Sequence, residues 1–172
     1  MSTRKMTTLA ILLSMSIVVS IVEGMLVPLL SISIPGAKLG LANVVTLVIM
    51  YHYSEKDAFT ILILRIILVG LLRGTIFNYP FFLSLNGGLV AFGLMYLFKH
   101  LKAFNMVSVS IMGSIGHATG QIVTAIFLFA TAGIGFYLPI LFLISIPTGL
   151  FVGWTSNIAI GYLKQFQDVG GL

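Results

Sequence analysis

The sequence predicts an all-α, polytopic membrane protein in which six transmembrane helices form one bundle. Hydrophobic residues make up 59% of the 172 residues and charged residues only 8%, whereas about a quarter of the residues in a soluble domain are charged. A transmembrane β-barrel would show segments of about 10 residues with alternating polarity, but the apolar runs here are longer and do not alternate. We therefore expect residues 1–172 to form a single integral membrane domain.

Six apolar runs lie between turn and charge signals, and each of them predicts one helix. The runs cover residues 6–27, 40–53, 58–74, 79–98, 105–130 and 136–163. The second run would be only about 21 Å long at 1.5 Å per residue, which is short for a hydrocarbon core of about 30 Å. We expect this helix to be tilted, or to be extended by the turn at residues 36–39.

The first run contains small residues at a spacing of four. Ala10 and Ser14 form one such pair, and Ser16, Ser20 and Gly24 form a second series. This spacing lets another helix approach closely within lipid. The approaching helix could belong to a partner subunit or to the same chain, and both alternatives stay open.

Basic residues at the segment ends predict the orientation of the bundle. When six crossings are counted from the N-terminus, one side of the membrane receives Arg4, Lys5, Lys56, Lys99, Lys102 and Lys164. Lys38 and Arg73 fall near the opposite face. Because lysine and arginine concentrate in cytoplasmic loops, both chain termini are expected to be cytoplasmic.

Polar side chains inside apolar segments are costly in a bilayer, so each one calls for a partner or a function. Counting 1.5 Å per residue along each helix brings one set toward the outer half of the membrane or its mouth: Glu23, Lys38, Asn43, Arg73, Asn86, His117 and Gln121. His117 and Gln121 are four residues apart and share a helix face. The shared depth predicts a solute pocket open to the outside, with the Pro-Gly turn before Lys38 as part of a lid.

Two basic side chains allow a purely structural interpretation. Glu23 and Arg73 have similar depth, so an ion pair between them is an alternative to contact with a solute. Arg65 lies about 10 Å from the inner end of its helix, within reach of the interface for a long side chain. We therefore leave Arg65 out of the expected pocket.

The sequence does not contain the constellations that membrane-associated enzymes need. It has only four carboxylates and no cysteine, and Glu55 and Asp57 belong to one turn, so no aspartate-rich pair for magnesium and diphosphate is present. Nucleotide loops, serine elbows and zinc signatures are missing as well. Transport or binding is therefore expected, without catalysis and without a metal or cofactor of its own.

Four stretches resemble the Gx transporter family, whose members are often labelled heptaprenyl diphosphate synthase component I. They are PGAKLGLAN at residues 35–43, the helix that contains Arg65, SLNGG at residues 84–88 and HATGQ at residues 117–121. Members of this family are similar to the substrate-binding (S) components of energy-coupling factor (ECF) importers. The resemblance extends over nearly the whole chain.

The resemblance implies a six-helix protein of a bacterial plasma membrane that captures a vitamin or vitamin precursor from the outside. Such a protein would dock, through small residues of its first helix, on a transmembrane T component that two cytoplasmic ATPases drive with ATP. Ala10 and Ser14 occupy that docking position here. The substrate stays open among a thiamine-precursor pyrimidine, a flavin and a prenyl-related anion.

Two alternatives from other classes stay open. The chain could be a membrane accessory subunit of a prenyl diphosphate synthase, as the family label says. It could also be a standalone secondary carrier, although the internal repeat typical of that class is not evident in the sequence.

Overall fold

The computed structural model describes residues 3–26 and 40–169, with side chains up to residue 165. These residues form no strand, and their six α-helices are α1 (Thr3–Leu26), α2 (Asn43–His52), α3 (Glu55–Leu72), α4 (Tyr79–His100), α5 (Met106–Phe129) and α6 (Leu138–Val169). A short 3₁₀ helix, Ala132–Tyr137, leads into α6. The predicted all-α fold class is confirmed.

Each of the six predicted segments overlaps one α-helix, and the largest deviations have local causes. The second helix begins at Asn43 because Gly40 has a φ of +82°, a left-handed conformation that cannot start a right-handed helix. The last helix continues past residue 163 to Val169, because no glycine or proline follows until Gly170.

Four stretches of the described chain are long and apolar enough to cross a membrane: α1, α4, α5 and α6 with its preceding 3₁₀ turn. Helix α2 has 10 residues, or about 15 Å, and α3 carries four charged residues. A helical membrane protein is therefore confirmed, whereas the prediction of six spans goes beyond what length and composition of the described helices support.

Helix α2 is the most enclosed element of the bundle. Its residues Val45–Met50 are all buried, and Leu47 and Ile49 have no exposed surface. Helices α1, α3 and α6 pack around it, and the Ser156 hydroxyl of α6 donates to the Val44 carbonyl at 3.3 Å. A helix that is apolar on all sides belongs in the middle of a protein or in lipid, and here it is in the middle.

Glycines bring α5 close to both of its neighbours. A Cβ atom on Gly120 would lie 2.7 Å from the Asn86 carbonyl oxygen of α4, and one on Gly149 of α6 would lie 2.6 Å from the Ile111 Cα of α5. Such close backbone approach is typical of membrane helices with small residues at their interface. Gly120 and Gly149 therefore serve as packing residues between neighbouring helices.

Charged side chains tie four helix ends together at one end of the bundle, which we call the closed end. Lys5 of α1 pairs with Asp57 of α3 at 2.6 Å. Lys99 of α4 donates to Glu55 of α3 and to the Met50 carbonyl of α2, both at 2.8 Å. Ser54 caps α3 by accepting the Asp57 N–H, so these contacts set the register of the helix ends.

Candidate functional site

A small polar cavity lies toward the other end of the bundle. It is bounded by the second half of α1, the start of α2, the second half of α3, the start of α4 and the middle of α5. Its volume is about 30 Å³, more than the roughly 10–15 Å³ that one water molecule requires. The polar side chains along its wall are Ser20, Glu23, Asn43, Arg65, Arg73, Thr75, Ser84 and His117.

The carboxylate of Glu23 organises the wall formed by α1 and α2. Glu23 is only 2% exposed, and its Oε1 accepts hydrogen bonds from the backbone N–H groups of Gly40 and Leu41. The left-handed φ of Gly40 turns the chain into α2 at this point, and glycine adopts that conformation without strain. The turn places Asn43, the first residue of α2 and 3% exposed, on the cavity wall.

Arg65 reaches the same cavity from α3. Its side chain is 5% exposed, and its Nη1 donates no hydrogen bond to any residue that the structure describes. Glu23 acts on it electrostatically, although the two side chains, both described, do not meet within 4.0 Å. Leaving Arg65 out of the pocket was therefore wrong, because its position along α3 did not indicate which face of the helix it occupies.

Arg73 ends α3 at the rim of the cavity and is largely exposed. Its guanidinium packs against Gly24 of α1, where a Cβ atom would collide with Nη1. Glu23 and Arg73, both described, do not form an ion pair within 4.0 Å. A direct ion pair between these two side chains is thus not found among the described contacts.

His117 and Gln121 share one buried face of α5, as the i, i+4 spacing predicts, and are 4% and 3% exposed. Gly87 of α4 makes room for both, because a Cβ atom there would lie 3.1 Å from His117 Cε1 and 2.9 Å from Gln121 Cγ. His117 also lies beside Gly40. Parts of the HATGQ and SLNGG stretches therefore meet Gly40, from the described part of PGAKLGLAN, at this point of the bundle.

Asn86 lies elsewhere. It lines a second groove of about 450 Å³ between α4 and α5, together with Phe82, Thr119, Val123 and Phe127. Phe127 is 82% exposed, so this groove opens on the outer surface of the helix bundle. The structure does not bring Asn86 to the polar cavity.

Two parts of the predicted site lie outside the described residues. They are Lys38 and the rest of the expected lid, since residues 27–39 are not described. Conversely, the cavity wall includes Ser20 and Ser84, which were not predicted as site residues. Ser20 is three residues before Glu23, and this spacing was a signal in the sequence that both side chains share a face of α1.

The small residues of α1 divide between two faces. Ser16 and Ser20 are buried, at 1% and 5% exposure, and pack inside the bundle. Ala10 and Ser14 are exposed, and the Ser14 hydroxyl donates to the Ala10 carbonyl within the same helix at 3.0 Å. Internal packing is therefore found for the face of α1 that carries Ser16 and Ser20. The face that carries Ala10 and Ser14 is exposed, and a partner subunit on it stays a prediction.

The chemical character of the cavity is that of a binding site for a small polar group. It combines two guanidinium groups, one carboxylate already engaged by backbone N–H groups, an amide and an imidazole. Within the described ranges, no cluster of three or more histidine or carboxylate side chains could hold a metal ion.

The model of one protein family, described as heptaprenyl diphosphate synthase component I, matches residues 12–159. The matched range includes every described residue on the wall of the polar cavity. No curated protein and no solved structure matches the chain.

Proposed function

The chain belongs to the family described as heptaprenyl diphosphate synthase component I, and we propose that this member is the substrate-binding component of an ECF-type importer. It captures a small vitamin or vitamin precursor from the outer side of a bacterial plasma membrane. In this proposal both termini are cytoplasmic, so the closed end faces the cytoplasm and the polar cavity faces outward.

One observation carries the proposal, namely a buried cavity lined by charged and amide side chains in an otherwise apolar helix bundle. Arg65, Asn43 and His117 are each at most 5% exposed. Ionisable and polar groups at membrane depth are expensive, and they mark substrate pathways when they do not serve packing. A protein that only anchors a soluble enzyme would not need them there.

The position of the two shorter helices supports our proposal for the number of spans. Helix α2 is too short to span by itself, yet it is enclosed by α1, α3 and α6. Because protein surrounds α2, the backbone groups at its ends can be satisfied at membrane depth, which would not be possible if they were exposed to lipid. We propose that α2 and α3 cross the membrane within the bundle and complete an arrangement of six helices.

The exposed face of α1 is the proposed contact with the T component. Ala10 and Ser14 leave a shallow strip beside the exposed side chains of Ile11 and Met15. Small residues let a partner helix approach closely. Two cytoplasmic ATPases would then supply the energy from ATP, and this chain would perform no catalysis and hold no cofactor.

A second candidate is favoured by the family description itself. As an accessory subunit, the chain would hold a soluble prenyl diphosphate synthase at the membrane. Affinity purification from native membranes separates the two candidates. Copurification of a transmembrane subunit with two ATPases is the expected result, whereas a soluble prenyl synthase without ATPases would contradict the importer.

A further inference from the structure

We infer that the solute carries an anionic group, a carboxylate or a phosphate, and that this group accepts hydrogen bonds from Arg65 and Asn43 inside the polar cavity. This inference rests on the proposed function, because it specifies the chemical class of the captured solute. The sequence left a thiamine-precursor pyrimidine, a flavin and a prenyl-related anion open.

The first observation concerns hydrogen-bond donors. Arg65 Nη1 and Asn43 Nδ2 are buried on the wall of one cavity, and neither donates to any residue that the structure describes. Buried donors in proteins almost always have an acceptor, and an uncompensated buried guanidinium is especially costly. Since both atoms are donors, the missing partner must supply acceptors.

The second observation is that Glu23, the carboxylate on the cavity wall, already accepts hydrogen bonds from the backbone. Glu23 Oε1 already receives the Gly40 and Leu41 N–H groups, and Glu23 does not approach Arg65 within 4.0 Å, both residues being described. Glu23 therefore moderates the charge of Arg65 from a distance and does not occupy its donors.

The third observation is the charge of the cavity wall. Its described residues include two guanidinium groups, Arg65 and Arg73, and one carboxylate, Glu23. A cationic solute would face this excess positive charge, and a neutral carbonyl would leave it uncompensated. A carboxylate or phosphate compensates it and fits the planar fork of donors that an arginine presents.

Size indicates which part of the solute enters. The cavity volume of about 30 Å³ is large enough for water molecules or one small functional group, but not for a whole vitamin. The anionic group would therefore occupy the inner position at Arg65, and the remainder of the solute would extend past the rim formed by Arg73.

The test uses inorganic phosphate and acetate as probes on the full-length protein, purified in a lipid-free mild detergent. Thermal unfolding is followed at constant ionic strength while each anion replaces chloride. We expect a concentration-dependent rise in the unfolding temperature of the wild type and no rise for Arg65→Gln. Lys56→Gln is the matched control, since it removes one positive charge from an exposed position at the closed end and should keep the full rise.

A second variant covers the case in which Arg65→Gln does not fold. Asn43→Asp replaces the amide donor by a carboxylate of almost the same shape, so it removes one donor and adds a negative charge to the cavity wall. We expect this variant to fold and to lose the rise with both anions. A rise preserved in either cavity variant would overturn the inference, and so would its absence from the wild type.

Two further measurements distinguish a lipid headgroup from a soluble anion, and failure of this inference from failure of the importer proposal. If phosphatidylglycerol raises the unfolding temperature through Arg65 and the soluble anions do not, the group belongs to a lipid and the inference is overturned. If the protein retains a neutral or cationic molecule, the inference fails while solute capture stands. If soluble anions bind at Arg65 but the chain copurifies without ATPases, the importer fails while the anion site stands.

Discussion

The closed end and the polar cavity both combine basic and acidic side chains, but their basic side chains differ in whether they have described hydrogen-bond acceptors. At the closed end, Lys99 reaches both Glu55 and the Met50 carbonyl, and Lys5 reaches Asp57. In the polar cavity, Arg65 and Asn43 keep buried donors without a described acceptor. The paired charges of the closed end are partly exposed and hold helices together. Arg65 and Asn43 are more deeply buried, and their unsatisfied donors are best explained by a ligand.

The titration behaviour of the closed end agrees with this difference. The hydrogen bond from Lys99 lowers the pKa of Glu55 below its ordinary value. Burial alone would raise the pKa of Asp57, but hydrogen bonds from Lys5 and Ser54 outweigh it and the pKa is lowered. Both carboxylates are therefore stabilised in the ionised form by partners within the protein.

The largest effect is expected from Gly87→Ala, which disturbs the packing of α4 against His117 and Gln121 near the polar cavity. The new Cβ would lie 2.9 Å from Gln121 Cγ, and such overpacking typically costs about 1–3 kcal/mol. His117 and Gln121 must shift, so solute binding should fall together with thermal stability. Gly93→Ala on the same helix has open space around it and should leave both unchanged or raise stability slightly. Equal behaviour of the two variants in unfolding and binding measurements would contradict the packing around His117.

The next effect is expected from Lys99→Met, which disturbs the closed end. It leaves the Met50 carbonyl without its donor and weakens the pairing of Glu55, so we expect a loss of about 1–2 kcal/mol in the free energy of unfolding. Solute affinity should not change. Lys102→Met, at an exposed neighbouring position, is the control. If Lys99→Met lowered solute affinity without lowering stability, the purely structural role of the closed end would be contradicted.

A smaller effect should distinguish Gln121 from Asn86, two of the three amides that the sequence assigned to the pocket. Gln121→Ala removes a buried side chain that shares its helix face with His117 on the cavity wall, and we expect the solute affinity to fall by about 1 kcal/mol, or roughly fivefold. Asn86→Ala should change it less, because Asn86 lines the outer groove. Equilibrium binding of the retained solute to both variants provides the measurement. A greater loss of affinity for Asn86→Ala than for Gln121→Ala would indicate that the solute binds in the groove between α4 and α5.

The smallest effect concerns pH and involves only the closed end. A carboxylate with a lowered pKa in the folded state adds stability that is present above its unfolded-state pKa and is lost as pH falls through the folded-state value. For Glu55 and Asp57 the ordinary values are 4.5 and 3.8, so stability should decline below about pH 4.5. Thermal unfolding of the double variant Glu55→Gln and Asp57→Asn should show a weaker decline, and an unchanged decline would contradict these roles.

The helices were predictable from the sequence, but the faces that they turn inward were only partly so. Apolar runs located all six helices, and the four-residue spacing of His117 and Gln121 located one buried face. The predictions for Arg65 and Asn86 used depth along the helix alone. In membrane helices both the lipid-facing and the protein-facing sides are apolar, so hydrophobic periodicity gives little information on rotation about the helix axis.

The central claim is that the polar cavity captures a small solute for import. Mass spectrometry of molecules extracted from the wild-type protein, purified in mild detergent, tests this claim most directly because it assumes no particular substrate. We expect one small soluble molecule with a carboxylate or phosphate, retained by the wild type and by Gly93→Ala and lost from Gly87→Ala. A wild-type protein that retains no soluble molecule while it copurifies with a soluble prenyl synthase would contradict the claim.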